Sequence, residues 1–154
     1  MIIEIIKKQV VTQSISLFVI TLLLLLYSCN SKDNPIKEKK TFYQAVNTNK
    51  DTALLSIVIN ETRFYGQYEI KYGESTKDSG SVKGNIKGDI FIGEYYCRPY
   101  GGNLKRVPIS LLRKGKKLFL GNGVTTTYLG FPCFAPGVPI TYNDAEFVFE
   151  EIKK

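Results

Sequence analysis

Residues 62–72 read Thr-Arg-Phe-Tyr-Gly-Gln-Tyr-Glu-Ile-Lys-Tyr, and this stretch decides the fold class. Every second residue is aromatic, aliphatic or glycine, and the residues between them are mostly charged or carry an amide. The first set is Phe64, Gly66, Tyr68, Ile70 and Tyr72, and the second is Arg63, Gln67, Glu69 and Lys71. An alternation of period two with one apolar and one polar face is typical of a β-strand that is buried on one side.

The rest of the carboxyl-terminal two thirds repeats this strand signal. Residues 53–59 are rich in β-branched and aliphatic side chains, and Asn60-Glu61 predicts a tight hairpin turn before the next strand. Further strands are predicted over 81–86, 89–97, 106–113, 117–121, 123–131 and 146–152, with a polar turn over 74–80. The pattern predicts an all-β domain of about eight short antiparallel strands, an up-and-down meander that forms a small closed or partly open barrel.

Glycines recur inside and between the predicted strands, in Gly80-Ser81-Val82-Lys83-Gly84, in Gly88-Asp89 and at Gly93. Glycine inside a strand suits the sharp bends of a small barrel. Over roughly residues 62–123 this pattern resembles the small lipocalin-like barrels of many bacterial lipoproteins. These motifs are turn signals, so the resemblance bears on the fold and not on an activity.

The first thirty residues have a different character. Lys7 and Lys8 precede an almost wholly apolar stretch over 15–26, and Ser28-Cys29 follows it. A basic start, a short apolar middle and a small residue at the cut describe a secretory signal peptide. The segment resembles a bacterial lipoprotein signal peptide with its lipobox, which implies cleavage before Cys29, acylation of Cys29 and a stable membrane anchor. The alternative is an uncleaved transmembrane helix, which needs about 20 mostly apolar residues.

These features predict three parts. Residues 1–28 are the expected signal peptide, residues 29–50 are the lipidated cysteine with a polar, flexible tether, and residues 51–154 are the barrel domain. Within the tether, residues 42–46 are expected to form the one ordered turn, a short helix closing one end of the domain. Asn30 stands where an Asp marks inner-membrane retention in this family, which implies an outer-membrane location on the periplasmic or the outer face.

Composition argues against several function classes. The formal net charge is +7, yet residues 51–154 hold fourteen basic and eleven acidic residues, so this domain lacks the dense basic surface of a nucleic-acid binder. The chain has no histidine, the commonest general base and metal ligand. It also has no phosphate-loop, calcium-loop, serine-hydrolase or paired-cysteine motif. We therefore expect no nucleic-acid partner, no cofactor, no metal and no enzymatic activity; the disfavoured alternative is a hydrolase that uses two carboxylates.

Two cysteines remain once Cys29 is assigned to lipid. In an exported protein such a pair is most simply a disulfide. A bond between Cys97 and Cys133 closes a loop of 37 residues. The loss of chain entropy in the unfolded state would then stabilise the fold by about 4 kcal/mol. The alternative is two buried free thiols, because unpaired cysteine is among the most buried residue types.

A candidate binding surface lies around two loops. Tyrosine and arginine are favoured at binding hot spots, and a rigid apolar loop lowers the entropic cost of binding. The candidate residues are Tyr95, Arg98, Tyr100, Asn103, Phe131 and Phe134. The alternative is ordinary packing in strands and in a lid over one end of the barrel.

Together, these expectations describe a lipid-anchored, non-catalytic binding module of the cell envelope. Its partner is expected to be an envelope protein or a small apolar ligand. The alternative is an accessory subunit of an outer-membrane complex, in which the barrel is filled by side chains and holds no ligand.

Overall fold

The computed structural model describes residues 39–73 and 75–153. These residues form ten strands: β1 Lys40–Val46, β2 Thr52–Ile59, β3 Arg63–Tyr72, β4 Thr76–Lys87, β5 Ile90–Arg98, β6 Lys105–Lys114, β7 Lys117–Leu120, β8 Thr125–Tyr128, β9 Phe131–Phe134 and β10 Val148–Ile152. Eight strands close into an antiparallel barrel in the order β1-β10-β7-β6-β5-β4-β3-β2, while β8 and β9 form a separate hairpin. The predicted all-β meander is confirmed. In the described part of the chain, no helix is long and apolar enough to span a membrane.

The alternation that predicts β3 is present in the structure. Phe64 and Tyr68 lie in the core, whereas Arg63 and Gln67 are exposed. The neighbouring strands follow in sequence through short turns, and Gly88 between β4 and β5 has a φ of +62°. A left-handed residue of this kind suits a tight hairpin and favours glycine, which has no Cβ to clash.

The first barrel strand corrects the predicted end of the tether at residue 50 and the short helix predicted over 42–46. β1 pairs with β2 along its whole length and with β10 on its other edge, so the barrel begins at Lys40 and not at residue 51. Tyr43 and Ala45 point into the core at 7% and 4% exposure. The physical reason is closure, because without β1 the edges of β2 and β10 would be left unpaired.

Two other predicted boundaries are wrong. Residues 123–131 are not a barrel strand, because the chain turns back at Leu129 and Gly130, whose φ angles are +49° and +82°, and β8 pairs with β9. The predicted turn over 74–80 is shorter, because β4 already begins at Thr76. The residue Asp78 therefore belongs to the sheet and lies opposite Ile70.

The two ends of the barrel differ. At one end, called the plugged end, lie the turns after β2, β4 and β6, together with the start of β1 and the end of β10. Large, fully buried side chains fill the interior toward this end, namely Phe64, Phe91, Leu111 and Leu118. The opposite end, called the mouth end, is where β3, β5 and β7 finish and β4 and β6 begin.

A pair of facing glycines makes room for the aromatic packing in the core. Gly84 on β4 lies opposite Gly93 on β5, and a Cβ built on Gly84 would lie 2.7 Å from the Cε1 atom of Phe64. The ring of Phe64 also packs against Phe91, with centroids 5.4 Å apart. Glycine at position 84 therefore lets the Phe64 ring lie against the sheet.

Candidate binding cavity

A cavity of about 290 Å³ lies at the mouth end of the barrel. Its apolar wall includes Ile70, Val107, Ile109, Leu120 and Phe134, and its polar lining includes Tyr68, Tyr72, Asp78, Tyr95, Cys97 and Lys105. Ligand pockets commonly measure about 300–1,000 Å³, are mostly apolar and carry a few placed polar groups. This cavity has that mostly apolar character, and its volume lies just below that range.

Two tyrosines form a tilted aromatic pair in the lining of the cavity. The rings of Tyr68 and Tyr95 lie with centroids 4.8 Å apart, and the Tyr95 hydroxyl donates a hydrogen bond to the main-chain oxygen of Tyr68 across 3.1 Å. Burial raises the pKa of both phenols above their ordinary value. Both side chains are therefore neutral at physiological pH.

The hydroxyl of Tyr68 is the unusual group in this site. Tyr68 is 3% exposed, and its hydroxyl has no hydrogen-bond partner among the residues that the structure describes. Buried polar atoms in folded proteins nearly always have a partner in the protein, in water or in a ligand. An unsatisfied hydroxyl on a residue that lines a cavity therefore marks a place for a further molecule.

The rim of the cavity is held by Asp78. One oxygen of this carboxylate accepts the backbone N–H of Tyr100 at 2.9 Å, and the other accepts the hydroxyl of Tyr72 at 3.3 Å. Asp78 thus connects β3 and β4 to the loop between β5 and β6. Burial, followed by the charge and hydrogen bond of Asp78, raises the pKa of Tyr72 to about 12.

Charges at the mouth end are of both signs. The amide of Asn47 donates to the carboxylates of Asp51 at 3.1 Å and of Glu146 at 3.5 Å. Lys105 lines the cavity and forms no ion pair with any residue in 39–73 or 75–153. Over the same ranges, no three His, Cys, Asp or Glu side chains are grouped so as to hold a metal.

The predicted surface residues divide into three groups. Tyr95 and Phe134 line the cavity, and Tyr95 is 6% exposed, so it belongs to the interior and not to the outer surface. Tyr100 is 70% exposed on the loop that Asp78 holds, and Arg98 and Asn103 are exposed at the two ends of that loop. Phe131 lies apart, on the hairpin.

The hairpin of β8 and β9 is fastened to the outer wall of the barrel by Arg106. Its guanidinium lies 5.0 Å from the ring centre of Phe131, 5.7 Å from that of Tyr96 and 3.6 Å from the Glu94 carboxylate. Residues 128–131, called the hairpin tip, carry the most exposed apolar side chains of this region. Leu129 is 80% exposed, Tyr128 is 69% exposed and Phe131 is 56% exposed.

The predicted disulfide is absent, because Cys97 and Cys133 are both free thiols. Cys97 lies on the inward face of β5 at 1% exposure, whereas Cys133 lies on β9, opposite Thr126 and outside the barrel sheet. Burial raises the pKa of the Cys97 thiol, and the nearby Lys105 lowers it by less. Cys97 is therefore a protonated thiol in the cavity wall at neutral pH.

Sequence reasoning missed several residues of the cavity. Tyr68 was placed inside by the alternation of β3, but no pattern indicates that its hydroxyl is unpaired. Asp78 was assigned to a turn, and Lys105 was not distinguished from its basic neighbours. Cys29, the signal peptide and the alternative transmembrane helix lie outside the described residues, so acylation stays a prediction.

Comparison with known proteins finds no match for this chain among protein-family models, curated proteins or solved structures. Functional conclusions therefore rest on the residues and geometry described above.

Proposed function

We propose that this chain is a non-catalytic, lipid-anchored binding module of the cell envelope that holds a small ligand in the mouth cavity. The observation that carries the proposal is the buried hydroxyl of Tyr68, which lacks a partner beside a cavity with apolar walls. A ligand polar group would complete this hydrogen bond, while the apolar walls would bury the rest of the ligand.

The anchor is argued from the sequence. The basic start, the apolar stretch over 15–26 and the Ser28-Cys29 pair support acylation of Cys29. Asn30 supports an outer-membrane location, on the periplasmic or the outer face.

The lining of the cavity supports binding over catalysis. Cys97 is a nucleophile by type, but burial raises its pKa and keeps it in the less reactive thiol form. Both oxygens of Asp78 already accept hydrogen bonds, from Tyr72 and from Tyr100. These two hydrogen bonds fix Asp78 in the rim as a structural link, and the chain has no histidine, the commonest general base.

The anchor is tested by the intact mass of the native protein extracted from membranes. The expected mass is that of a chain that starts at Cys29 and carries three acyl chains. A Cys29→Ala variant is the matched control and should remain unacylated. A mass that begins at Met1 in the native protein would rule out the lipoprotein assignment.

The cavity is tested by protection of Cys97 from alkylation in the full chain reconstituted in lipid nanodiscs. Butylbenzene should slow the reaction of Cys97 in proportion to its occupancy, because Cys97 lines the cavity. Cys133 lies on the hairpin and is the internal control, so its reaction rate should not change. Equal effects on both thiols, or no effect on Cys97, would contradict a ligand cavity.

The hairpin tip favours a second candidate function, docking to an envelope protein. Leu129 and Phe131 together present a large exposed apolar surface, and exposed apolar surface of this kind is common in protein interaction sites. Leu129→Ser combined with Phe131→Ser should abolish cross-linking to such a partner in intact cells. Val138→Ser, an exposed apolar residue outside the tip, is the control that should leave the cross-link in place.

A further inference from the structure

The geometry points to a neutral ligand. We propose that the mouth cavity takes a small apolar molecule with one uncharged hydrogen-bonding group, a hydroxyl or a carbonyl oxygen, which pairs with the hydroxyl of Tyr68. This inference rests on the proposed function and adds the chemical class of the ligand.

Three tyrosines of the cavity lining differ in their hydrogen bonds. The hydroxyl of Tyr95 is satisfied by the main-chain oxygen of Tyr68, and the hydroxyl of Tyr72 is satisfied by Asp78. The hydroxyl of Tyr68 has no hydrogen-bond partner among the described residues. A phenol both donates and accepts, so a single ligand oxygen is enough to satisfy it.

The position of Tyr68 inside the barrel disfavours a charged ligand group beside its hydroxyl. Tyr68 lies four residues before the end of β3, about 13 Å from the mouth end at about 3.3 Å per residue. Lys105 is the first residue of β6 and stands opposite Cys97 near the end of β5, so this cation lies at the rim. A charge buried without a paired counter-ion is strongly disfavoured.

The carboxylates near the cavity lie at its rim. Asp78 stands opposite Ile70, two residues nearer the mouth end than Tyr68, and keeps its charge while it accepts from the N–H of Tyr100 and the hydroxyl of Tyr72. Glu146 is exposed and accepts from the amide of Asn47. Neither carboxylate forms a hydrogen bond with the Tyr68 hydroxyl, so a ligand amine paired with that hydroxyl would be buried without a bonded counter-ion. A neutral polar group avoids this cost.

The size and walls of the cavity limit the ligand further. About 290 Å³ is less than most drug-sized ligands need. Ile70, Val107 and Leu120 provide aliphatic walls, and Phe134 provides an aromatic one. A single ring with a short chain, or a branched aliphatic compound of similar size, fits this space.

The experiment uses four probes of nearly equal size and the alkylation rate of Cys97 in the full chain in nanodiscs. The probes are butylbenzene, phenylpropanol, phenylpropylamine and phenylpropanoate. Phenylpropanol should protect Cys97 at a concentration about 3- to 10-fold below that of butylbenzene, the effect of one hydrogen bond. The charged probes should protect less well than the alcohol. In Tyr68→Phe the preference for the alcohol should vanish while protection by butylbenzene is unchanged.

Tyr96→Phe is the matched control, because Tyr96 faces outward on β5 and does not line the cavity. It should keep the preference for the alcohol. Protection by butylbenzene without a preference for the alcohol, or a preference that survives in Tyr68→Phe, would overturn this inference and leave the proposed function standing. Tightest protection by the amine or the carboxylate would overturn it as well. Absence of protection by every probe would overturn both.

The free Tyr68→Phe protein provides a second check. Removing an unpartnered buried hydroxyl should leave the thermal unfolding midpoint unchanged or raised. A variant that fails to fold would mean that this hydroxyl has a structural partner in the protein, and the inference would then be wrong.

Discussion

The hydroxyl of Tyr95 donates to the main-chain oxygen of Tyr68 across 3.1 Å, while the hydroxyl of Tyr68 itself has no partner in the described protein. The two rings lie 4.8 Å apart between centroids and are tilted by 53°, so two chemically identical groups lie side by side with opposite hydrogen-bonding states. Tyr68 also packs against Phe149, at 5.8 Å between ring centroids. The pair thus connects the aromatic core to the lining of the mouth cavity.

This difference predicts unequal effects of the same substitution. Tyr95→Phe should lower the free energy of unfolding by about 1 kcal/mol, because it removes one buried hydrogen bond. Tyr68→Phe should leave the free energy of unfolding unchanged or raise it, because no hydrogen bond is lost. Urea unfolding of both variants measures the difference. Equal losses in the two variants would contradict the assignment of hydrogen bonds.

The facing glycines of β4 and β5 predict a strong steric effect. A Cβ at position 84 would lie 2.7 Å from the Cα of Gly93 and closer still to the main-chain oxygen of Ile92. Gly84→Ala should therefore destabilise the barrel by about 1–3 kcal/mol, the usual cost of overpacking. Gly102→Ala is the control, because its nearest neighbour is a Pro99 side-chain atom at 3.5 Å. Chemical unfolding should show a change of less than about 0.5 kcal/mol for the control.

The two free thiols predict unequal responses at Cys97 and Cys133. Cys97→Ser places a hydroxyl in the core and should cost about 1–3 kcal/mol, whereas Cys133→Ser on the hairpin should cost less than about 0.5 kcal/mol. Reductant should leave the unfolding midpoint of the wild-type protein unchanged. Equal losses together with a midpoint that falls on reduction would show that the two cysteines are bonded.

The buried tyrosines predict a loss of stability at alkaline pH. Burial raises the pKa of Tyr43, Tyr68 and Tyr95 above the ordinary value of 10.0, and burial with Asp78 raises that of Tyr72 to about 12. Above about pH 10 the unfolded chain releases these protons while the folded protein keeps them. The unfolded state then binds fewer protons, so stability falls as the pH rises from about 10 to about 12.

The contribution of the Tyr68 and Tyr95 pair to this pH dependence is measurable. The urea midpoint followed from about pH 9 to about pH 11 should fall less steeply in the Tyr68→Phe and Tyr95→Phe double variant than in the wild-type protein. An unchanged slope would mean that these two phenols titrate alike in the folded and unfolded states.

The fold was largely predictable because it follows from local alternation and turn chemistry. The strict alternation over β3 predicts a strand, and the glycine at position 88 predicts the turn that follows β4. The sequence pattern misses β1 because it follows a run of lysines and because one of its two partners, β10, lies at the far end of the domain sequence. Residues 125–127 are three threonines, which favour strands. All three are exposed, so this strand has no buried face that could pack into the barrel.

The site was less predictable because it depends on which atoms meet. The disulfide was inferred from the expected compartment, and this reasoning ignores that the inward face of β5 holds Cys97 while Cys133 lies on the hairpin. Tyr95 is predicted as a hot-spot residue and Phe134 as part of a rigid apolar loop, and both line the cavity. The unpaired hydroxyl of Tyr68 is a property of the three-dimensional surroundings alone, so no residue pattern reveals it.

The most direct test of a ligand cavity at the mouth end is a titration of the methyl-labelled full chain with phenylpropanol, followed by nuclear magnetic resonance. The methyl signals of Ile70, Val107 and Leu120, which line the cavity, should shift with saturation. Those of Ile57, Val82 and Leu111, which are buried but do not line it, should stay in place. Shifts in both sets alike, or in neither, would contradict the cavity as a binding site.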